Sequence, residues 1–153
     1  MKKILPYLAI IGTSAFAGNM INIGLSYGIH WKSLEPLEFM KTFAVDFPLL
    51  LYPTAATLLP AFIATILIYL SSEKSTQTKR FWLYALIGLL IINVQTVGYH
   101  LPLNLAFMDQ SIEITEVGGK LSTWLFFHWV RIGVALTAAI FAIKGWESKM
   151  KIS

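Results

Sequence analysis

The sequence predicts an all-α integral membrane protein: a four-helix up-down bundle with both termini in the cytoplasm. Of the 153 residues, 56% are hydrophobic and only 13% are charged. The mean hydropathy of +0.66 is more than a water-soluble domain of this size hides in its core. Four long intervals of the sequence contain almost no charged residue. Most of the basic residues lie at the two termini and between the second and third intervals. Residues 1–153 are therefore expected to form a single four-span membrane domain.

The four charge-free intervals locate the predicted spans. Lys, Arg, Asp and Glu are absent from 4–31, 47–72 and 81–108, and Arg131 alone interrupts 121–143. Each interval exceeds the ~20 residues that a helix needs to cross a ~30 Å hydrocarbon layer. The strands of a membrane barrel would instead alternate polar and apolar residues. The predicted helices cover about 4–29, 46–70, 81–102 and 121–143.

The first span, which begins MKKILPYLAIIGTSAFAGNM, has two interpretations. Two lysines, an apolar run and the AFA motif ending at Ala17 are typical of a cleavable signal peptide. The apolar stretch, however, continues through INIGLSYGI, and cleavage at Ala17 would leave too few residues before His30 to cross a membrane. We therefore expect a retained helix in which Gly12, Ala15 and Gly18 allow close helix contact.

The second span, DFPLLLYPTAATLLP, contains Pro48, Pro53 and Pro60. Each proline removes a backbone donor and frees a carbonyl about one turn earlier. One interpretation is the ordinary tolerance of proline in a membrane helix. The other is a helix that bends beside a polar cluster and lines it with carbonyl groups.

The distribution of Lys and Arg predicts the orientation. Lys32, Lys41 and Lys120 lie on one side, whereas eight basic residues lie at the termini and between the second and third spans: Lys2, Lys3, Lys74, Lys79, Arg80, Lys144, Lys149 and Lys151. Both termini are therefore expected in the cytoplasm. The net charge of +4 then reflects topology. No basic stripe interleaved with aromatic residues suggests a nucleic-acid partner, and the expected partner is the lipid bilayer.

Polar residues recur at helical spacing in three of the spans. Lipid cannot satisfy polar groups, so such stripes are expected to face the bundle interior. They comprise Asn19, Asn22, Ser26 and His30 in the first span, Asn93, Thr96, His100 and Asn104 in the third, and Trp124, His128 and Arg131 in the fourth.

With the N-terminus inside, the three histidines fall in one half of the bundle. This predicts a pocket that opens toward the outer leaflet, where at least two of the imidazoles meet and Arg131 points inward. Its expected members in the outer half or at its rim are His30, Asp46, His100, Asn104, His128 and Arg131.

Arg131 is the strongest functional candidate. A charged side chain inside a membrane helix costs about 2.5 to 3.5 kcal/mol even on the lenient insertion scale, and we expect Asp46 to be its countercharge. The simpler interpretation of other polar residues is structural. Asn and Thr side chains form interhelical hydrogen bonds of about 0.6 kcal/mol on average, and Trp31 and Trp124 are typical of interfacial anchors.

Three stretches resemble the anthrone oxygenase-like family of small four-helix membrane proteins. They are FAVDFPLLLYPTAATLLP in the second span, HLPLNLAF after the third, and WLFFHWVRIGVALTAAIFA in the fourth. In the last, Trp124, His128 and Arg131 match the family's pattern of a tryptophan, then His or Asn, then an arginine. The length and the number of helices also match, so the resemblance covers nearly the whole chain.

The resemblance implies oxidation of an activated phenolic carbon acid by molecular oxygen, without a metal or organic cofactor. A histidine can take a proton from a carbon next to a carbonyl group, and a fixed arginine can hold the resulting enolate oxygen. His128 or His100 would be the base, and Arg131 with Asn104 would hold the anion. Further expected contacts to a small apolar or aromatic ligand are Trp124, Asp46, Asn22 and His30.

Two alternatives belong to other functional classes. In a haem or metal protein, His100 and His128 would be axial ligands and His30 with Asp46 a further site, although no closely spaced ligand motif supports this. The other alternative is a non-enzymatic transporter or assembly partner, and a transporter of this length would need a homodimer to enclose a path. The sequence contains no cysteine, which excludes thiolate sites.

Overall fold

The computed structural model describes residues 4–73 and 77–150, which form four long helices. Each is long and apolar enough to cross a membrane, and no strand occurs in these ranges. The predicted fold class is therefore confirmed, while the cytoplasmic placement of the termini remains a prediction. Of the lysines behind that prediction, Lys2, Lys3, Lys74 and Lys151 lie outside the described residues. The helices are α1 (Leu5–Ser33), α2 (Pro36–Ser71), α3 (Gln77–Met108) and α4 (Ile114–Met150).

The helices extend beyond the charge-free intervals, so the connections are shorter than predicted. α2 begins at Pro36, ten residues before the predicted start, and two residues separate it from α1. Proline fits the first helical turn because its missing N–H would have no partner there. Charged residues at a helix end lie where water or lipid headgroups can solvate them. The absence of charge therefore marks the part of a helix in the hydrocarbon layer, not the whole helix.

Two of the four helices contain a widened π-helical turn. In α1, the π segment Ile23–Tyr27 lies between the α-helices Leu5–Asn22 and Gly28–Ser33. In α3, the π segment is Thr96–His100, between the α-helices Gln77–Gln95 and Leu101–Met108. Such turns are rare, and they occur frequently at functional sites.

Glycines bring neighbouring helices into close contact. A Cβ atom at Gly12 of α1 would lie 2.9 Å from the Cβ of Ala61 in α2. A Cβ at Gly88 of α3 would lie 2.9 Å from the Cβ of Ala138 in α4. Gly18 faces open space and Ala15 is exposed. Of the small residues singled out in the first span, Gly12 alone therefore makes a close helix contact.

The prolines of α2 lie on its exposed face. Pro48, Pro53 and Pro60 all fall within the continuous helix Pro36–Ser71, and all three are exposed. Their rings therefore point away from the bundle interior. This arrangement favours the interpretation as ordinary tolerance of proline in a membrane helix.

The core contains an aromatic cluster near the short α1–α2 connection. Trp31 packs against Phe43 with ring centroids 4.8 Å apart, and Phe39 packs against Phe107 at 4.9 Å. All four side chains are buried. This cluster adjoins the polar side chains described below.

Candidate functional site

The polar stripe of α1 does not face the bundle interior, contrary to the prediction. Asn22, Ser26 and His30 are exposed, and Asn19 is half-buried. The buried face of α1 is formed by Phe16, Met20, Gly24, Gly28 and Trp31. Asn22 and His30 each follow a buried residue, Met20 and Gly28, by two positions. Because two positions correspond to about 200° around the helix axis, Asn22 and His30 lie on the opposite face, away from the site.

Five side chains from α3 and α4 converge in the interior. The centroids of the His100 and His128 rings lie 6.5 Å apart, which confirms the predicted meeting of two imidazoles. Arg131 is only 5% exposed, so its predicted inward direction is also confirmed. The remaining two members, Asn104 and Trp124, are buried as well.

His128 uses both of its ring nitrogens in hydrogen bonds. Its Nε2 lies 2.8 Å from the carbonyl oxygen of Met20, and its Nδ1 lies 2.8 Å from Nη2 of Arg131. A carbonyl can only accept and a guanidinium can only donate, so Nε2 carries the proton and Nδ1 the lone pair. In this arrangement His128 is neutral and has no free lone pair. It is therefore poorly suited to be the base.

Two backbone features of α1, a π turn and a glycine, allow the His128 ring to lie close to this helix. The π turn that starts at Ile23 widens the helix beside Met20, whose carbonyl accepts the imidazole proton. A Cβ at Gly24 would lie 3.3 Å from Cδ2 of His128, tighter than ordinary contact. Glycine therefore lets the ring approach α1 closely. Sequence periodicity alone does not reveal a main-chain partner of this kind.

His100 has a free ring nitrogen. Its Nδ1 lies 3.4 Å from the carbonyl oxygen of Gln95, whereas its Nε2 is buried and has no hydrogen-bond partner in the described chain. The main chain of Trp124 also lies beside the ring. With the proton on Nδ1, the lone pair is on Nε2. Of the two predicted bases, His100 therefore has the lone pair available.

Arg131 is bound by neutral groups. Its Nη1 donates to the Thr96 hydroxyl at 3.4 Å and its Nη2 to His128, while its buried Nε has no hydrogen-bond partner in the part of the chain described. The expected countercharge, Asp46, accepts instead from Nε1 of Trp31 at 2.9 Å. Within the described residues, 4–73 and 77–150, no ion pair joins Asp46 to Arg131. The Asp46 side chain of α2 therefore faces α1. Helix periodicity cannot predict which neighbouring helix a side chain meets.

The two tryptophans beside the site are not interfacial anchors. Trp31 and Trp124 are 1% and 3% exposed, and their ring centroids lie 5.7 Å apart. Trp124 donates its indole N–H to Oδ1 of Asn104 at 2.7 Å and stacks on His128 with centroids 4.9 Å apart. Both indole N–H groups are thus used inside the bundle, where they orient neighbouring side chains.

A cavity of about 60 Å³ adjoins the cluster. Its polar lining comes from Thr54, Thr96, Asn104 and Arg131, and the rest of the wall is formed by apolar and aromatic side chains of all four helices. This volume corresponds to about two water molecules and is far below the ~300 Å³ of pockets for larger organic ligands. A ring-shaped ligand therefore requires side chains to move. The His100 ring lies behind Trp124, which lines the cavity.

The metal and haem alternatives receive no support from the geometry. No group of three or more His, Asp or Glu side chains in the described ranges could hold a metal ion. Both nitrogens of His128 are already hydrogen-bonded, so a pair of axial ligands from His100 and His128 would require these bonds to break. His30 is exposed and Asp46 is bound to Trp31.

Gln95 is a site residue that the sequence analysis missed. Its Nε2 donates to the carbonyl of Phe127 at 2.9 Å, and its own main-chain carbonyl faces His100. Its Oε1 is buried without a hydrogen-bond partner in the described residues. The available signal was an amide side chain within an apolar span, between Asn93 and Thr96 of the polar stripe of α3.

A comparison with known families identifies the chain. A family model described as anthrone oxygenase matches residues 47–141, more than half of the 153 residues. The chain belongs to the anthrone oxygenase family. The resemblance seen in the sequence is thereby confirmed. No curated protein and no solved structure gives a significant match.

The anthrone oxygenase match includes the converging side chains of α3 and α4. It excludes α1, and with it the exposed Asn22 and His30, and it begins one residue after Asp46. The family match therefore covers most of α2 together with the parts of α3 and α4 that carry the buried histidines and Arg131.

Proposed function

We propose that the protein is a cofactor-independent membrane oxygenase that oxidises an anthrone-like phenolic carbon acid with molecular oxygen. The observation that carries this proposal is a buried guanidinium whose Nε–H has no partner among the described residues, next to the buried His100–His128 pair. A base and an anion holder in a site shielded from water are the two groups that such chemistry requires. Membership of the anthrone oxygenase family supports the same class of reaction.

Proton removal is the first step. Nε2 of His100 takes a proton from the substrate's activated methylene carbon, which is conjugated with its carbonyl group through the aromatic rings, after the substrate has displaced Trp124 and enlarged the cavity. The resulting enolate oxygen is held by the Nε–H of Arg131 and by the amide N–H of Asn104, both of which line the cavity side of the cluster. These donors stabilise the negative charge where it develops.

Oxygen then reacts with the electron-rich carbon. The carbanion gives two electrons to dioxygen, a C–O bond forms, and the peroxide anion takes the proton from His100 to give a hydroperoxide. Loss of the second C–H proton with cleavage of the O–O bond yields a ketone and water. One oxygen atom enters the product and the other enters water, so dioxygen is the oxidant and no further reductant is needed.

His128 has a positioning role in this proposal. It connects the Met20 carbonyl of α1 to the guanidinium of Arg131 through its two nitrogens. The hydrogen bond to His128 engages Nη2, and Nε, which has no partner among the described residues, is left to bind the enolate oxygen.

The test measures the oxidation of anthrone by the purified protein in lipid nanodiscs. The two readouts are the uptake of oxygen and the absorbance of anthraquinone. The wild-type protein should exceed the spontaneous rate measured with empty nanodiscs. His100→Gln should lower the protein-dependent rate by about 10²-fold or more, the usual contribution of a general base. His30→Gln is the matched control, because His30 is exposed and its loss should not change the rate.

Two outcomes would contradict the proposal. If the wild-type protein does not accelerate the reaction of anthrone, the non-enzymatic alternative is favoured. If it does so and His100→Gln keeps the full rate, His100 is not the base.

A further inference from the structure

We infer that Arg131 binds a small inorganic monoanion, such as chloride, in the cavity beside it. The first observation is the depth of the charge. Arg131 is 5% exposed, and the nearest charged residues along α4 are Lys120 and Lys144. At 1.5 Å per residue these lie roughly 16 and 20 Å away along the helix. The guanidinium is therefore unable to reach either end of the helix.

The second observation is that the groups bound to Arg131 do not compensate its positive charge. Its two hydrogen bonds go to the Nδ1 lone pair of His128 and to the Thr96 hydroxyl, both neutral. Its Nε–H is buried and unpaired in the described chain. Asp46 is already the acceptor for Trp31. A buried ion that lacks a countercharge is strongly destabilising, so an anion from solution has a large stabilising effect here.

The third observation is a space of suitable size and chemistry. Arg131 lines the cavity of about 60 Å³, which holds about two water molecules and hence one halide. The Thr54 and Thr96 hydroxyls donate to main-chain carbonyls of their own helices. The N–H groups of Arg131 that these partners do not use, Nε–H among them, and the Asn104 amide are therefore the donors left for a ligand. A single positive charge and a small space favour a small monoanion over a larger or divalent one.

The inferred site does not depend on the proposed oxygenase function. Binding of chloride requires no substrate and is measured on the resting protein. Where the oxygenase proposal also holds, the enolate oxygen replaces the anion at Arg131. Chloride should then raise the KM for anthrone and leave kcat unchanged.

The experiment measures thermal unfolding in nanodiscs at constant ionic strength, with gluconate replaced stepwise by chloride or bromide. Gluconate is too large for the cavity. The wild-type unfolding temperature should rise and saturate with either halide, and Arg131→Met should abolish the rise. Arg80→Met is the matched control, because Arg80 is the other arginine and is exposed. The inference is overturned if the wild-type protein shows no halide dependence, or if Arg131→Met shows the same dependence.

A second measurement applies if Arg131→Met fails to fold. Crystals of the wild-type protein grown in bromide should show an anomalous scattering peak within contact distance of the Arg131 guanidinium. Water alone at this position, without anomalous signal, would overturn the inference.

Discussion

At the residue scale, His100 and His128 show how hydrogen bonds give two side chains of the same type different chemical roles. Their rings lie 6.5 Å apart, and both are almost completely buried. His128 is bound at both nitrogens, whereas His100 keeps an unpaired Nε2. The first arrangement suits a structural link, and the second suits a proton acceptor.

We therefore expect the same substitution to cost different amounts of stability at the two positions. His128→Gln should lower the free energy of unfolding by about 1 to 3 kcal/mol for each buried partner left unpaired, the partners being the Met20 carbonyl and Arg131. His100→Gln should cost less stability, because the hydrogen bond of His100 to the Gln95 carbonyl is long, at 3.4 Å. Denaturant unfolding in detergent micelles measures both. A larger loss for His100→Gln would contradict these assignments.

Asp46 gives a second prediction at this scale. Asp46→Asn keeps an oxygen that can accept from Trp31, so its stability should remain within about 1 kcal/mol of the wild type. If Asp46 were the countercharge of Arg131, its loss would leave a buried cation and cost about 3 to 5 kcal/mol. A double-mutant cycle with Arg131→Met measures their coupling, which should be close to zero.

At the element scale, the buried face of a membrane helix follows its contacts more than its polarity. α1 packs through Met20, Gly24 and Gly28 while its amide, hydroxyl and imidazole groups lie on the exposed side. Gly12 shows why: a Cβ there would meet the Cβ of Ala61 at 2.9 Å and the Thr57 carbonyl oxygen at 3.0 Å. Close packing against α2 therefore determines the rotation of α1 about its axis.

The substitution Gly12→Leu should consequently destabilise the bundle. Forcing a large side chain into a filled contact costs about 1 to 3 kcal/mol. Gly18→Leu is the control on the same helix, since Gly18 meets nothing within 4 Å, and it should be neutral or stabilising by up to about 1 kcal/mol. Thermal unfolding of the two variants, measured side by side, tests the difference. Equal losses would mean that α1 does not pack on α2 at Gly12.

At the scale of the whole molecule, the helix ends fall into two groups. Residues 34–35 and 109–113 join helices at one end of the bundle, whereas Ser71 of α2 and Gln77 of α3 lie at the other. The excess of lysine and arginine near the second end predicts that this end is cytoplasmic.

Cysteine labelling tests this topology directly, because the chain has no cysteine of its own. In intact cells, a membrane-impermeant maleimide should label Ser111→Cys. Gln77→Cys should react only after the membrane is permeabilised. Both positions are exposed, and the wild-type protein is the unlabelled control. The reverse pattern would show that the termini are outside.

The sequence by itself determined the membrane class, the four spans and the inward direction of the α4 stripe. The cost of burying polar backbone and charge in lipid acts on every residue of a span, so these features are visible in composition and periodicity. It also indicated the family, because Trp124, His128 and Arg131 stand at fixed spacing on one helix.

Only the tertiary structure decided which groups meet. Periodicity places a side chain on one face of its own helix, but the neighbour across that face depends on close packing and on local π turns. For this reason Asp46 binds Trp31, not Arg131, and the Met20 carbonyl binds His128. The exposure of Asn22 and His30 has the same cause, since glycine contacts set the rotation of α1.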